Sequence, residues 1–310
     1  MNKKTALNDP WLVAVWPGIG TVSISAGYYL MAKLGMHLLT EFPAFEFFEL
    51  DHIKVKHGQI LTSRLPRSRL FLWHDPSKKH DLIVFIGEAQ PSTKSNDFCS
   101  KLIDHVRKLG VERVFTFAAM ATQMGPRDES HVFGAAIDQM SLREFTRHKV
   151  EVLEQGTISG LNGAMLGIAA ENGMRGGCLL GEMPHLFSPF PFPKASLAVL
   201  QAFTSIAEIT IDFEELKAQA LQVEQGLEKL LLQMVSTTEE TEQSSNETTV
   251  SQPAKDKSLL NTDDQEHLEA LFAIASKDRS RAYELKQELD RLRVFNQYED
   301  RFLDLFKEPD

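Results

Sequence analysis

Two cysteines in 310 residues, Cys99 and Cys178, are too few for a disulfide framework, and no CxxC pair offers zinc ligands. Such sparse usage fits a reducing cytoplasm. No apolar run approaches the roughly 18 residues that a membrane span needs. The opening MNKKTALNDPW has two lysines and no apolar stretch behind them, so no signal peptide is expected. Positive charge is also short. Lys and Arg number 33 against 43 Asp and Glu, a net charge of -10, which argues against general binding to nucleic acid or to an anionic membrane. Catalytic signatures are missing too: there is no GxSxG elbow and no P-loop, and the ten histidines have no HExxH-like spacing. No catalytic residue, no metal and no cofactor is assigned.

What is present is a regular alternation of apolar runs and helical patterns. WLVAVW (Trp11–Trp16) reads as a buried strand, PGIG as a turn, and Val22, Ala26, Tyr29, Leu30 and Leu34 as a helix stripe ending at Gly35. Phe45–Thr62 reads as short strands and a hairpin turning near His57-Gly58-Gln59. DLIVFIGE, RVFTFAA, HVFGAAI and GGCLLGE read as further strands. Helices are expected over about Asn96–Gly110, Ser141–Val150, from Thr157 or Ser159 to Gly173, and from Pro193 to Ala207. Continuous apolar strands alternating with helices imply an α/β fold with a largely parallel central sheet covered on both faces.

After Ile211 the character changes. Leu216, Ala220, Val223, Leu227, Leu230 and Met234 form one more amphipathic stripe. Residues 236–262 are rich in Ser, Thr and Glu and nearly free of large apolar side chains, so they are expected to be a disordered polar linker. Three apolar stripes follow, on Leu268/Leu271/Phe272/Ala275, Ala282/Leu285/Leu289/Leu292 and Phe295/Phe302/Leu305/Phe306. The domain reading is 1–235 α/β, 236–262 linker and 263–310 a helical module that needs a docking surface.

Three features could carry chemistry. Gly18-x-Gly20-x-x-Ser23 is an imperfect dinucleotide fingerprint, with Glu41 at the distance of a ribose-binding acid. It admits a phosphate cradle or a plain βα turn, and the missing third glycine favours the turn. Two strands end in Gly-Glu, which places Glu88 with Gln90 and Glu182 with His185 at strand carboxyl ends, where one crevice could gather them. Their alternative role is to tie neighbouring turns by hydrogen bonds. Gly160, Gly163 and Gly167 share a helix face with Ala164, a pattern that suits close packing.

Several stretches together resemble one family. PGIG, IGEAQ, TFAAMAT with HVFGAAID, the block GTISGLNGAMLGIAAENGMRGGCLLGEMPH and PFPKASLAVL are similar to the proteasome assembly chaperone 2 family, from about Trp11 to Phe213. The segment KDRSRAYELKQELDRLRVFNQYEDRFLDLF is similar to an extension carried by some bacterial members. The resemblance implies a three-layer α/β/α, phosphorylase/hydrolase-like fold and self-association into a small symmetric homo-oligomer such as a trimer. It implies binding proteins that help proteasome α-subunits assemble, and it carries over no catalytic residue. The closing FKEPD lacks the hydrophobic-Tyr-x ending of chaperones that insert a tail into the proteasome ring, so tail insertion is not expected. The function expected is therefore a non-enzymatic, cytoplasmic assembly chaperone or adaptor with an unidentified protein client. The alternative is a small-molecule enzyme or sensor, for a nucleotide or phosphate, using a crevice at Gly18, Gly20, Glu88, Gln90, Glu182 and His185.

Overall fold

All five residues of WLVAV are buried, and they form strand β1 (Trp11–Val15) in the middle of an eight-stranded sheet. Their side chains alternate between faces, as a strand requires. Trp11, Val13 and Val15 enter one core, and Leu12 and Ala14 enter the other, followed there by Trp16. The structure is a computed structural model and describes residues 6–49, 54–56, 58–61, 64–241 and 261–307.

The remaining elements are α1 (Val22–Lys33), β2 (His37–Glu41), β3 (Lys54–Lys56), β4 (Gln59–Leu61), β5 (Ser68–Trp73), β6 (Leu82–Gly87), α2 (Ser95–Arg107), β7 (Arg113–Thr122) and β8 (Val132–Ala136). Then come α3 (Gln139–Arg147), β9 (Glu151–Val152), α4 (Gly160–Glu171), β10 (Arg175–Pro184), α5 (Pro193–Ile206), α6 (Glu214–Thr241), α7 (Thr262–Lys277), α8 (Ala282–Arg291) and α9 (Phe295–Asp304). The sheet order is β2-β5-β6-β1-β7-β10-β8-β9, and β3-β4 is a separate hairpin. Strands β6, β1, β7 and β10 are parallel, whereas β5 and β8 pair antiparallel on either side of them. The sheet is therefore mixed, with a parallel centre. Helices α2 and α4 cover one face; α1, α5 and the C-terminal helices cover the other.

Three details depart from the sequence reading. Phe45–Phe47 is a single 3-10 turn rather than strand, with Phe42, Phe47 and Phe48 packed edge-on around Phe98. Strands β2 and β5, on HLLTE and SRLFLW, were not anticipated. Helix α6 continues through Thr241, past position 236; residues 242–260 of the expected linker lie outside the described residues.

Helix α1 is buried on nearly every side, with Tyr28, Tyr29 and Met31 as deep as Val22 and Ala26. Its inner face meets the sheet at Gly27, where an added Cβ would lie 2.4 Å from Val15 Cγ2, so only glycine permits this approach. Its outer face is covered by the chain's own C-terminal helices. Tyr283 meets Tyr29 edge-on at 4.5 Å and donates a hydrogen bond to Gln219 of α6. Phe295 and Phe302 pack on Tyr28, and Phe306 packs on Phe71 of β5. The Leu38 N–H of edge strand β2 donates to the Phe306 carbonyl at 2.7 Å. The apolar stripes of the tail thus find their surface on α1 and the adjoining sheet edge.

Polar groups lock the same junction. Tyr28 donates to Glu299 Oε1 at 2.8 Å. Burial pushes Glu299 up to about 7, and the nearby Glu88 charge adds to the rise. Burial works to raise Asp300 as well, but the hydrogen bond from Arg69 and the charges of Arg64 and Arg67 hold it below the ordinary carboxylate value.

The docked tail keeps the Glu299 proton to a higher pH than a released tail would. This group therefore favours docking fully below its ordinary pKa of 4.5, and its contribution fades as pH rises from there to about 7. Glu299→Gln should remove that decline. Hydrogen exchange of residues 262–307 should show wild type opening more readily at pH 8 than at pH 5.5, and the variant opening equally at both.

Candidate functional site

The turn after β1 is built around Gly20, whose φ of 60° lies in the left-handed region that glycine adopts without strain. Its N–H donates to the Ser188 carbonyl at 3.1 Å, and its carbonyl accepts from the Phe192 N–H at 2.9 Å. An added Cβ would strike Met183 Sδ at 2.5 Å. Gly20 is a junction between the β1–α1 and β10–α5 connections, and its N–H is already committed. Gly18 differs. Its backbone is extended, and an added Cβ would meet open space.

The β10–α5 connection reads HLFSPFPFP, and its aromatics divide by side. Phe187 and Phe192 are buried and anchor the loop. Leu186 and Phe190 stay outside, 46% and 45% exposed, and across the junction Ile19 is 54% exposed. Three large apolar side chains from two interlocked loops therefore form a rim at the carboxyl ends of β1 and β10. His185 is exposed in the same loop, where its carbonyl accepts from Ser188 Oγ at 2.6 Å.

Ile19 also borders a crevice of about 210 Å³, bounded by Gly18, Gln90, Phe117, Leu180 and the start of α4. Gln90 spans it: Nε2 donates to the Pro17 carbonyl at 2.8 Å, and Oε1 accepts from the Leu161 N–H at 3.3 Å. Ser159 stands at the N-cap of α4 without a capping side-chain hydrogen bond. Among the described residues, Trp16 Nε1, Ser23 Oγ and Asn162 Oδ1, on residues of the crevice wall, have no hydrogen-bond partner.

Of the residues singled out in the sequence, Gly18 and Gln90 share this crevice. Glu88 and Glu182 do not. They follow β6 and lie on β10, three strand spacings apart, roughly 14 Å. Glu182 Oε1 accepts from Thr122 Oγ1 at 2.8 Å, and its carbonyl accepts from Ser130 Oγ at 2.6 Å, which ties β10 to its neighbours. Glu88, with its side chain 7% exposed, is held by Arg64 at 2.5 Å, by Arg69 at 3.0 Å and by the Arg67 N–H at 2.9 Å. Arg69 is itself 1% exposed and reaches Asp300 of α9 at 2.5 Å, and Arg67 pairs with Glu41 of β2. Both carboxylates thus brace structure at opposite sides of the sheet. The tail residues Asp300 and Glu299 were missed because their partners lie more than two hundred positions earlier. The cysteines offer no nucleophile: burial pushes both thiols up to about 12.

Arg69→Met should leave Glu88 and Asp300 facing each other without this cation. A loss of about 1.5–3 kcal/mol is expected, the scale of a hydrogen bond to a charged group, because Arg64 still holds both carboxylates. Denaturant unfolding measures the loss, and exchange of α9 should rise with it.

Solved structures share this architecture. An archaeal proteasome activator, PbaB of Pyrococcus furiosus, superposes with a TM-score of 0.62 at 25% identity, over 74% of this chain and 96% of that one. The proteasome-assembly chaperone homologue Rv2125 of Mycobacterium tuberculosis superposes with a TM-score of 0.61 at 21% identity, over 71% and 94%. In sequence, the uncharacterized protein MJ1210 of Methanocaldococcus jannaschii is 28% identical over 234 residues, covering 72% of this chain and 84% of its own. The PAC2 family model matches residues 12–231, which hold all of the sheet but its first residue, the rim and the crevice, but not the C-terminal helices. This chain belongs to the PAC2 family.

Proposed function

We propose that this protein is a non-enzymatic assembly chaperone or adaptor that binds a client polypeptide, and further copies of itself, through the apolar rim at Ile19, Leu186 and Phe190. The carrying observation is that rim: three large apolar side chains held in solvent by loops whose own anchors are buried. Exposed apolar groups presented together mark protein-contact surfaces. Membership of the PAC2 family and the likeness to an archaeal proteasome activator support a client among proteasome-type subunits. Two free, buried thiols are in keeping with action in the cytoplasm. The C-terminal helices α7 to α9 act as a module docked on α1 of their own chain, beyond the polar stretch that follows α6.

One observation supports a second reading. The unpartnered polar atoms of Trp16, Ser23 and Asn162 beside Gly18 favour a small ligand in the crevice.

Native mass spectrometry of the protein purified gently from its host separates these readings. A complex with another polypeptide at fixed stoichiometry is expected, and Phe190→Asp together with Ile19→Asp should abolish it while leaving the circular dichroism spectrum unchanged. A bare homo-oligomer carrying a defined small mass would replace the chaperone reading with the second one.

A further inference from the structure

The C-terminal helices do more than cover α1. Between α1, α6 and the helices α7 to α9 they border a half-open cavity of about 850 Å³, distinct from the crevice beside Gly18. Its apolar wall comes from Ile24, Val223, Leu271 and Phe295. Its charged wall is unbalanced. Glu88, Glu284, Glu288, Asp290 and Glu299 face Lys286, Arg291 and His267.

Most of these charges are already matched. Lys286 Nζ lies 2.5 Å from Asp290 and 3.9 Å from the centre of the Phe295 ring. Arg291 pairs with Glu288 at 2.6 Å, Glu284 pairs with Arg281, and Glu88 is held by Arg64 and Arg69. Glu299 is the exception. Among the described residues it forms no ion pair, and its hydrogen bond is the one donated by Tyr28. A carboxylate removed from water without a partner cation is costly, so such a group keeps its proton or recruits a cation.

We propose that this cavity binds a small molecule that carries an ammonium group on an apolar body, with the ammonium paired to Glu299 and the body against Ile24, Val223 and Leu271. An anion is disfavoured by the surplus of carboxylates. A purely apolar molecule would leave Glu299 as it is. Because burial raises Glu299 above the ordinary carboxylate range, an incoming cation ionises it, and binding near neutral pH releases a proton to solvent. Affinity therefore climbs as pH rises through about 7 and levels off above it. The groups facing Glu299 are Tyr28 from α1, Glu88 after β6, Arg64 and Arg69 at β5, and Lys286 from α8. Of these, the four charged side chains already have ion-pair partners.

Calorimetric titration of the full chain with cyclohexylamine, cyclohexanol and cyclohexanecarboxylate tests this directly. The amine should bind at least about tenfold more tightly than the alcohol, the scale of one charge-assisted hydrogen bond. Repeating the titration in phosphate and in Tris should reveal the released proton, a readout that needs no mutant. Glu299→Gln, first shown to melt normally, should lose the preference and the proton release together. Equal binding of amine and alcohol, preference for the carboxylate, amine binding without proton release, or no binding at millimolar concentration would each overturn the proposal.

Discussion

A guanidinium at 1% exposure cannot be left without counter-charges, and Arg69 has them on two sides. Its position follows from strand register. Arg69 stands opposite Ile86 and Ser68 opposite Gly87, so the end of β6 delivers Glu88 to the guanidinium. Asp300 arrives from α9 through the C-terminal helices. The cation thus joins a strand of the family core to a helix beyond it. Removing it would leave carboxylates from three elements close together with only Arg64 and Arg67, both more exposed, to match them.

Much of the remaining architecture depends on that junction. With α9 fixed, Phe302 and Phe306 settle on Tyr28 and Phe71, and α1 becomes a helix buried on nearly every side. The edge strand β2 donates a hydrogen bond to the tail, which blunts a sheet edge that would otherwise invite pairing. The same docked helices border the cavity at Glu299. The apolar rim sits on loops fixed by Gly20, Phe187 and Phe192, and is built entirely within the residues that match the PAC2 family. The two loops that carry the rim also send Pro17, Thr21, Pro191 and Pro193 to the wall of the cavity at Glu299, so the two surfaces adjoin.

The central strands were legible because a buried parallel strand needs an unbroken apolar run, and WLVAV, LIVFIG and GCLLG have one. The flanking strands were not. HLLTE is half-buried at an edge, and SRLFLW contains an arginine whose burial only its partners make tolerable. FEFF carries the aromatics of a strand, yet it forms a 3-10 turn because Phe47 and Phe48 pack on Phe98 rather than on a neighbouring strand. The three tail stripes were readable as helix faces by their spacing alone.

The sequence by itself determined the α/β class, the helical C-terminal module and the family, since these rest on local periodicity and contiguous motifs. It also marked Gly18 and Gln90, which share a crevice. Only the tertiary structure decided that Glu88 and Glu182 stand apart, that Gly20 spends its N–H on Ser188, and that the tail docks on its own chain. Those outcomes depend on strand order and on pairs such as Arg69 with Asp300 and Tyr28 with Glu299. Their separations in sequence leave no spacing to read, and their energies exist only once water is excluded from between them.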